Sequence, residues 1–305
     1  MDQTAGDPRT DHRALIAASV TVVLWASAFV SIRAAAEHYG PGALALGRLL
    51  TASVALGVVL LVKRVPLPPR QAWPGILVSG VLWFGLYMVT LNWGEQEVDA
   101  GTAAMVVNIG PIVIALLSGW LLKEGFPPML LAGMGVSFVG AAVVGVSTSN
   151  GGASSVLGVL LCLVAALAYG AGVVSQKSAL RHATPLQVTT YGCFVGTVCT
   201  LSFAWQLISQ LPEAPLTATL NMVYLGLFPT ALAFTTWTYA LSRTTAGKMG
   251  ATTYAVPAVV VVIAWFALDE VPGWLTLLGG AICLGGVAVS RRRPKPATAE
   301  VPAGK

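Results

Sequence analysis

The chain has 305 residues, 56% of them hydrophobic and 10% charged, where soluble domains carry roughly 25% charged residues. With a mean hydropathy of +0.78, a soluble fold would run out of interior volume before its apolar side chains were hidden. The composition therefore points to an all-α integral membrane protein whose surroundings are the lipid bilayer.

The net charge of +5 does not mark a nucleic-acid partner. The basic residues sit in short connections and in the tail at Arg291, Arg292, Arg293 and Lys295 rather than on one face.

A bilayer core takes roughly 20 helical residues. After an N-terminal tail at 1–13, ten apolar runs of that length follow. The first five are 14–34, 41–62, 73–94, 100–122 and 128–147. A linker at 148–154 leads to the second five, 155–176, 186–208, 219–241, 247–267 and 273–290, and a basic tail closes the chain at 291–305. Pro66, Pro68 and Pro69, then Pro127 and Pro128, Gly151 and Gly152, Pro212 and Pro215, and Pro272 punctuate the runs. Ala26-Ser27-Ala28 looks like a signal-peptide cleavage site. The apolar run passes through it to about Ala35, and cleavage would delete the partner of residues 158–179, so 14–34 is predicted as a membrane helix.

That partnership belongs to an internal repeat. Pro111, Glu124, Gly80, Gly101, Gly133 and Gly140 meet Pro257, Glu270, Gly226, Gly247, Gly279 and Gly286 at an offset of 146 residues. Upstream the offset is 144, pairing Ser31 with Ser175, Arg33 with Lys177 and Pro41 with Pro185. The chain is thus predicted as two five-helix units, 14–147 and 155–290. Five is odd, so the second unit enters the membrane from the opposite side, and the fold expected is ten transmembrane helices as two inverted repeats. Fifteen of the seventeen Lys and Arg fall on one side of this topology. The positive-inside rule then puts both termini in the cytoplasm of a plasma-membrane protein.

In this order the chain resembles the drug/metabolite transporter superfamily, in particular its ten-helix EamA-type exporters. The resemblance rests on Leu24-Trp25-Ala26-Ser27-Ala28-Phe29 ending in Arg33, and on Arg48-Leu49-Leu50. It continues through Asn108-Ile109-Gly110-Pro111 running on to Trp120 and Glu124, with an echo from Pro257 to Asp269-Glu270. It implies two inverted five-helix bundles around a central cavity, and efflux of amino acids, other metabolites or drugs. Related four-helix multidrug proteins carry a proton-exchanging glutamate in the first helix. Leu15 to Ile32 holds no acid, so proton-for-cation exchange by that route is not expected.

Arg48 is the only ionisable residue well inside a predicted span, about 10 Å below Pro41. It reads either as a clamp for a substrate carboxylate or as a side chain snorkelling to headgroups. Pro111 and Pro257 sit mid-span and should free the carbonyls of Val107 and Thr253. Freed carbonyls in a membrane face protein or a wet cavity, which makes Asn108 and Tyr254 candidate substrate contacts. Trp25, Tyr87 and Tyr169 lie near mid-depth and are candidate cavity walls, with plain packing as the alternative. Glu124 and Glu270 end their spans and are possible gate residues, or solvated helix ends.

The four cysteines lie in apolar runs without metal-site spacing and read as packing residues. No metal or cofactor is expected. Glycine stripes at 133–140 and 279–286 suit either an intramolecular clamp or a homodimer face, so monomer and homodimer both stand.

Three functions compete. An intramembrane enzyme would need a base or nucleophile at depth, yet His12, His38 and His182 lie in loops or the tail. Gly247-Lys248 lacks the rest of a nucleotide loop. A channel or scaffold is open on residues alone. A secondary carrier for a small molecule is favoured, since inverted symmetry makes outward-open and inward-open states nearly equivalent.

Overall fold

A computed structural model describes residues 11–98, 103, 106–148, 155–268 and 273–291, and within these no strand occurs. The helices are α1 (His12–Ala36), α2 (Pro41–Val62), α3 (Arg70–Glu97), α4 (Gly110–Leu121), α5 (Pro128–Thr148) and α6 (Val156–Ala179). They continue as α7 (Pro185–Gln210), α8 (Leu216–Arg243), α9 (Ala246–Thr252), α10 (Ala255–Leu268) and α11 (Trp274–Ser290). Among the described residues six of them, α2, α3 and α5 to α8, are long and apolar enough to cross a bilayer. Large apolar side chains such as Val54, Leu61, Val146, Val156, Trp205 and Leu216 are exposed on the outside. A protein built this way is an integral, multi-pass membrane protein.

Local chemistry sets the helix starts. The Asp11 carboxylate accepts the N–H groups of Arg13 and Ala14. Thr184 and Gln187 form a capping box ahead of α7. Pro41 and Pro185, partners in the repeat, each occupy the first turn of their helix, where a missing N–H costs nothing.

The structure corrects two expectations. The first concerns the carbonyl freed at the helix breaks read from Pro111 and Pro257. Turns at Asn108–Ile109 and Thr253–Tyr254 interrupt the chain, and each proline falls in the opening turn of the helix that follows, α4 or α10. The Thr253 carbonyl is not left for a ligand, because it accepts the Val256 N–H at 2.9 Å.

The other difference concerns α3 and α8, expected as regular helices. Each contains a π-helical stretch, Gly80–Tyr87 in α3 and Gly226–Leu232 in α8, and the two begin 146 residues apart. In α8 the cause is Pro229, which has no N–H for the carbonyl of Leu225. In both, the opening glycine admits a neighbouring backbone. A Cβ at Gly226 would lie 2.7 Å from the Arg48 oxygen, and one at Gly80 3.1 Å from the Gly192 oxygen.

The repeat offset recurs across the interior. The Ser137 hydroxyl donates to the Cys283 carbonyl at 3.0 Å, and the Cys283 thiol returns a weak bond to the Ser137 carbonyl. Tyr254 donates to the carbonyl of Asn108, its partner at offset 146, and Ser53 bonds Thr197, its partner at offset 144. Glycine contacts are reciprocal as well. A Cβ at Gly133 or Gly286 would meet the other's oxygen at 2.5 Å, and one at Gly140 or Gly279 at 2.7 and 2.9 Å. The glycine stripes therefore clamp α5 against α11 within one chain.

Candidate functional site

The core of the bundle is aromatic. The Trp83 ring on α3 lies 5.4 Å from Tyr169 on α6, 4.7 Å from Phe234 and 5.6 Å from Trp237, both on α8. Trp25 on α1 adds contacts at 5.0 Å to Trp237 and 5.4 Å to Phe234. Tyr87 stands 5.7 Å from Tyr169. Three sequence candidates, Trp25, Tyr87 and Tyr169, thus meet in one cluster. Trp25 and Tyr87 keep part of their surface open, whereas Tyr169 is buried.

Arg48 is anchored to the π segment of α8. Its side chain is buried, and its Nε donates to Thr230 Oγ1 at 3.1 Å. Thr230 in turn donates to the Leu225 carbonyl, the group that Pro229 cannot serve, at 2.8 Å. Trp25 Nε1 donates to the Pro229 carbonyl at 3.2 Å. The helix defect thus collects an arginine from α2 and an indole from α1. Tyr87 and Glu95 lie within electrostatic reach of Arg48. Sequence reasoning missed Pro229 and Thr230. The signal was there, a proline eleven residues into the predicted run 219–241 with a hydroxyl beside it.

Asn108 and Tyr254 are brought together, but through the Asn108 carbonyl. Tyr254 is fully buried and closes the helix break with its hydroxyl proton. Tyr169 donates to Thr253 Oγ1 at 3.4 Å, so the Tyr254 hydroxyl steadies the first break and the Tyr169 hydroxyl the second.

Basic groups cluster at one end of the bundle, where side chains tie helix ends together. Glu124 accepts the N–H groups of Ala246 and Gly247 at 3.0 and 3.3 Å, and Lys177 Nζ donates to the carbonyls of Leu241 and Thr244. Asp11 pairs with Arg243 at 3.1 Å. The Ala14 and Arg13 amides and the Arg243 charge hold the Asp11 carboxyl below its usual range. At the opposite end Tyr39 bonds Thr219, and Gln210 accepts the Gly40 N–H. Glu270 and the side chain of Arg33 lie outside the described residues. Among the described residues no group of three His, Cys, Asp or Glu could hold a metal ion.

Known proteins place this arrangement. The sequence profile of the EamA-like transporter family matches residues 12–146 and again 156–292. A Streptantibioticus cattleyicolor protein named "Probable terminal-alkyne amino-acid exporter" is 38% identical over 92% of this chain and 94% of its own. The Bacillus subtilis "Uncharacterized transporter YdfC" is 34% identical over 90% and 89%. An Escherichia coli protein named "Probable amino-acid metabolite efflux pump" is 23% identical over 90% and 93%. A solved crystal structure shares the fold with a TM-score of 0.75 at 21% identity, over 92% of this chain and 97% of that one. The chain belongs to the EamA-like transporter family, within the drug/metabolite transporter superfamily, and is a transporter of small molecules.

Proposed function

We propose that the chain is a secondary carrier that exports an amino acid or a related small metabolite by alternating access of two inverted five-helix units, 14–147 and 155–290. Both termini face the cytoplasm of the plasma membrane, and the chain performs no catalysis. The observation that carries the mechanism is that Ser53, Asn108 and Ser137 each touch their own repeat partner. A residue can touch its symmetry mate only on a two-fold axis, which for five-helix units lies in the membrane plane. Export of an amino-acid-like compound is supported by the names of two relatives.

In this reading Trp25, Tyr87 and Tyr169 wall the cavity beside the helix breaks, and Arg48 clamps the substrate carboxylate. Glu124 is an inner gate residue, joining the end of α4 to the start of α9 across the two units. Glu270, the repeat partner of Glu124 in the sequence, is assigned the corresponding outer gate role.

Counterflow in proteoliposomes tests the reading, since a carrier exchanges and saturates whereas a channel or scaffold does not. Arg48→Ala should raise the half-saturation for zwitterionic and anionic substrates about ten- to hundredfold, corresponding to roughly 1.5–3 kcal/mol for a charge-assisted hydrogen bond. Arg48→Lys should recover little, because an ammonium lacks the guanidinium fork. Unchanged transport in Arg48→Ala would make the arginine an anchor for α8 alone.

A further inference from the structure

Two buried side chains near the basic end carry polar atoms without a partner, Gln176 at both Nε2 and Oε1, and Trp237 at Nε1. Gln176 is 0% exposed and Trp237 1%. An unpaired buried amide or indole N–H carries a desolvation penalty that packing does not recover.

The fold does not require polarity at these positions. The repeat partners of Gln176 and Trp237 are Ile32 and Leu91, both buried and apolar. The same two places in the other unit are thus filled by aliphatic side chains.

Both groups stand on helices, α6 and α8, that pack against Trp83. The Trp83 Cβ packs where Gly172 has none, and its ring lies 5.6 Å from Trp237. Gln176 is one turn beyond Gly172. It is also two turns from Tyr169, so its amide leaves the same face of α6 about 10 Å nearer the basic end. There Lys177, its chain neighbour, holds the α8 carbonyls of Leu241 and Thr244, so this end of α6 runs beside the part of α8 that carries Trp237, about one turn before Leu241. Gln176 thus lies between the aromatic cluster, of which Trp237 is a member, and the helix-end ties made by Lys177 at the basic end.

We propose that Gln176 and Trp237 form an inner subsite for the zwitterionic head of an amino-acid-like substrate, a reading that rests on the carrier function above. The indole N–H and the amide NH₂ donate to the carboxylate, and the amide oxygen accepts from the ammonium. The subsite is neutral where Arg48 is charged. A substrate meets the weaker contact on entry and the stronger one further along.

The test uses the full-length protein with a radiolabelled mixture of L-amino acids. Counterflow is measured in right-side-out and inside-out vesicles, and ligand-induced thermal shift in detergent. Gln176→Leu keeps the volume, and Trp237→Phe keeps an aromatic ring without the N–H. Trp237→Phe should raise half-saturation from the cytoplasmic face on the order of tenfold, the loss of one hydrogen bond to a charged group, and Gln176→Leu, which removes two, by at least as much, while both leave the outer-face value unchanged. The ligand-free melting temperature of Gln176→Leu should stay level or rise, since an unpaired amide is removed.

Unchanged half-saturation in both variants overturns the subsite. So does a lowered melting temperature of Gln176→Leu with equal losses from both faces, which marks a structural amide. If the wild type binds the mixture but shows no counterflow, and Gln176→Leu loses that binding, the subsite stands and the carrier reading falls. If the wild type neither binds nor exchanges, both fall.

Discussion

Thr230 shows how one hydroxyl can serve two masters. It donates to the Leu225 carbonyl and accepts from Arg48, so the arginine's position depends on a proline defect in a helix from the other half of the chain. Thr230→Val keeps the shape but removes both bonds. Melting of the purified protein should show a loss of about 1–3 kcal/mol, the range for leaving a buried polar partner unsatisfied. Thr230→Ser should stay close to wild type. If the two variants melt alike, the hydroxyl does not anchor Arg48.

Arg48 itself was legible, because a lone charge in an apolar run stands out. Its partner was not, since Arg48 and Thr230 are 182 residues apart and no local pattern links them. Gln176 and Trp237 were hidden for a related reason. Their polarity becomes notable only when packing shows them buried and without partners.

At the level of the helix, glycines that look alike in sequence divide into two kinds. Gly140 faces the α11 backbone, whereas a Cβ at Gly135, on the same helix, would meet nothing within 4 Å. Gly140→Ala should therefore lower stability by about 1–3 kcal/mol through overpacking. Gly135→Ala should raise it by up to about 1 kcal/mol through helix propensity. Thermal melts of the pair in one detergent check both signs, and equal losses would contradict the α5–α11 contact. Sequence located this stripe but could not say what it met. Sequence placed helix breaks at Pro111 and Pro257, and the turns at Asn108–Ile109 and Thr253–Tyr254 fall two to four residues ahead of them. The π stretch of α3 contains no proline at all, so nothing in its composition announced it.

For the molecule as a whole, the repeat offset was the most legible feature, and the polar bonds at offsets of 144 and 146 give it a physical counterpart. The orientation proposed from basic residues has a direct check. Single cysteines at Pro66 and Ser149, in a chain otherwise free of cysteine, should react with an impermeant maleimide from the inside and the outside respectively. Reaction of both from the same side would remove the inverted arrangement along with the orientation.

When two halves rock about a pivot, displacement grows with distance from it. The Ser137–Cys283 contact joins a residue to its own repeat partner, and so sits where the lever arm vanishes. The bond between Tyr39 and Thr219 lies far out along that arm. Ser137→Cys with the native Cys283 should thus accept an oxidative or short bifunctional cross-link and keep exchanging substrate at close to its normal rate. The same link between cysteines at 39 and 219 should arrest exchange until it is reduced. Arrest by the central link and tolerance of the outer one would mean that the motion has a different fulcrum, and that the two halves slide rather than tilt.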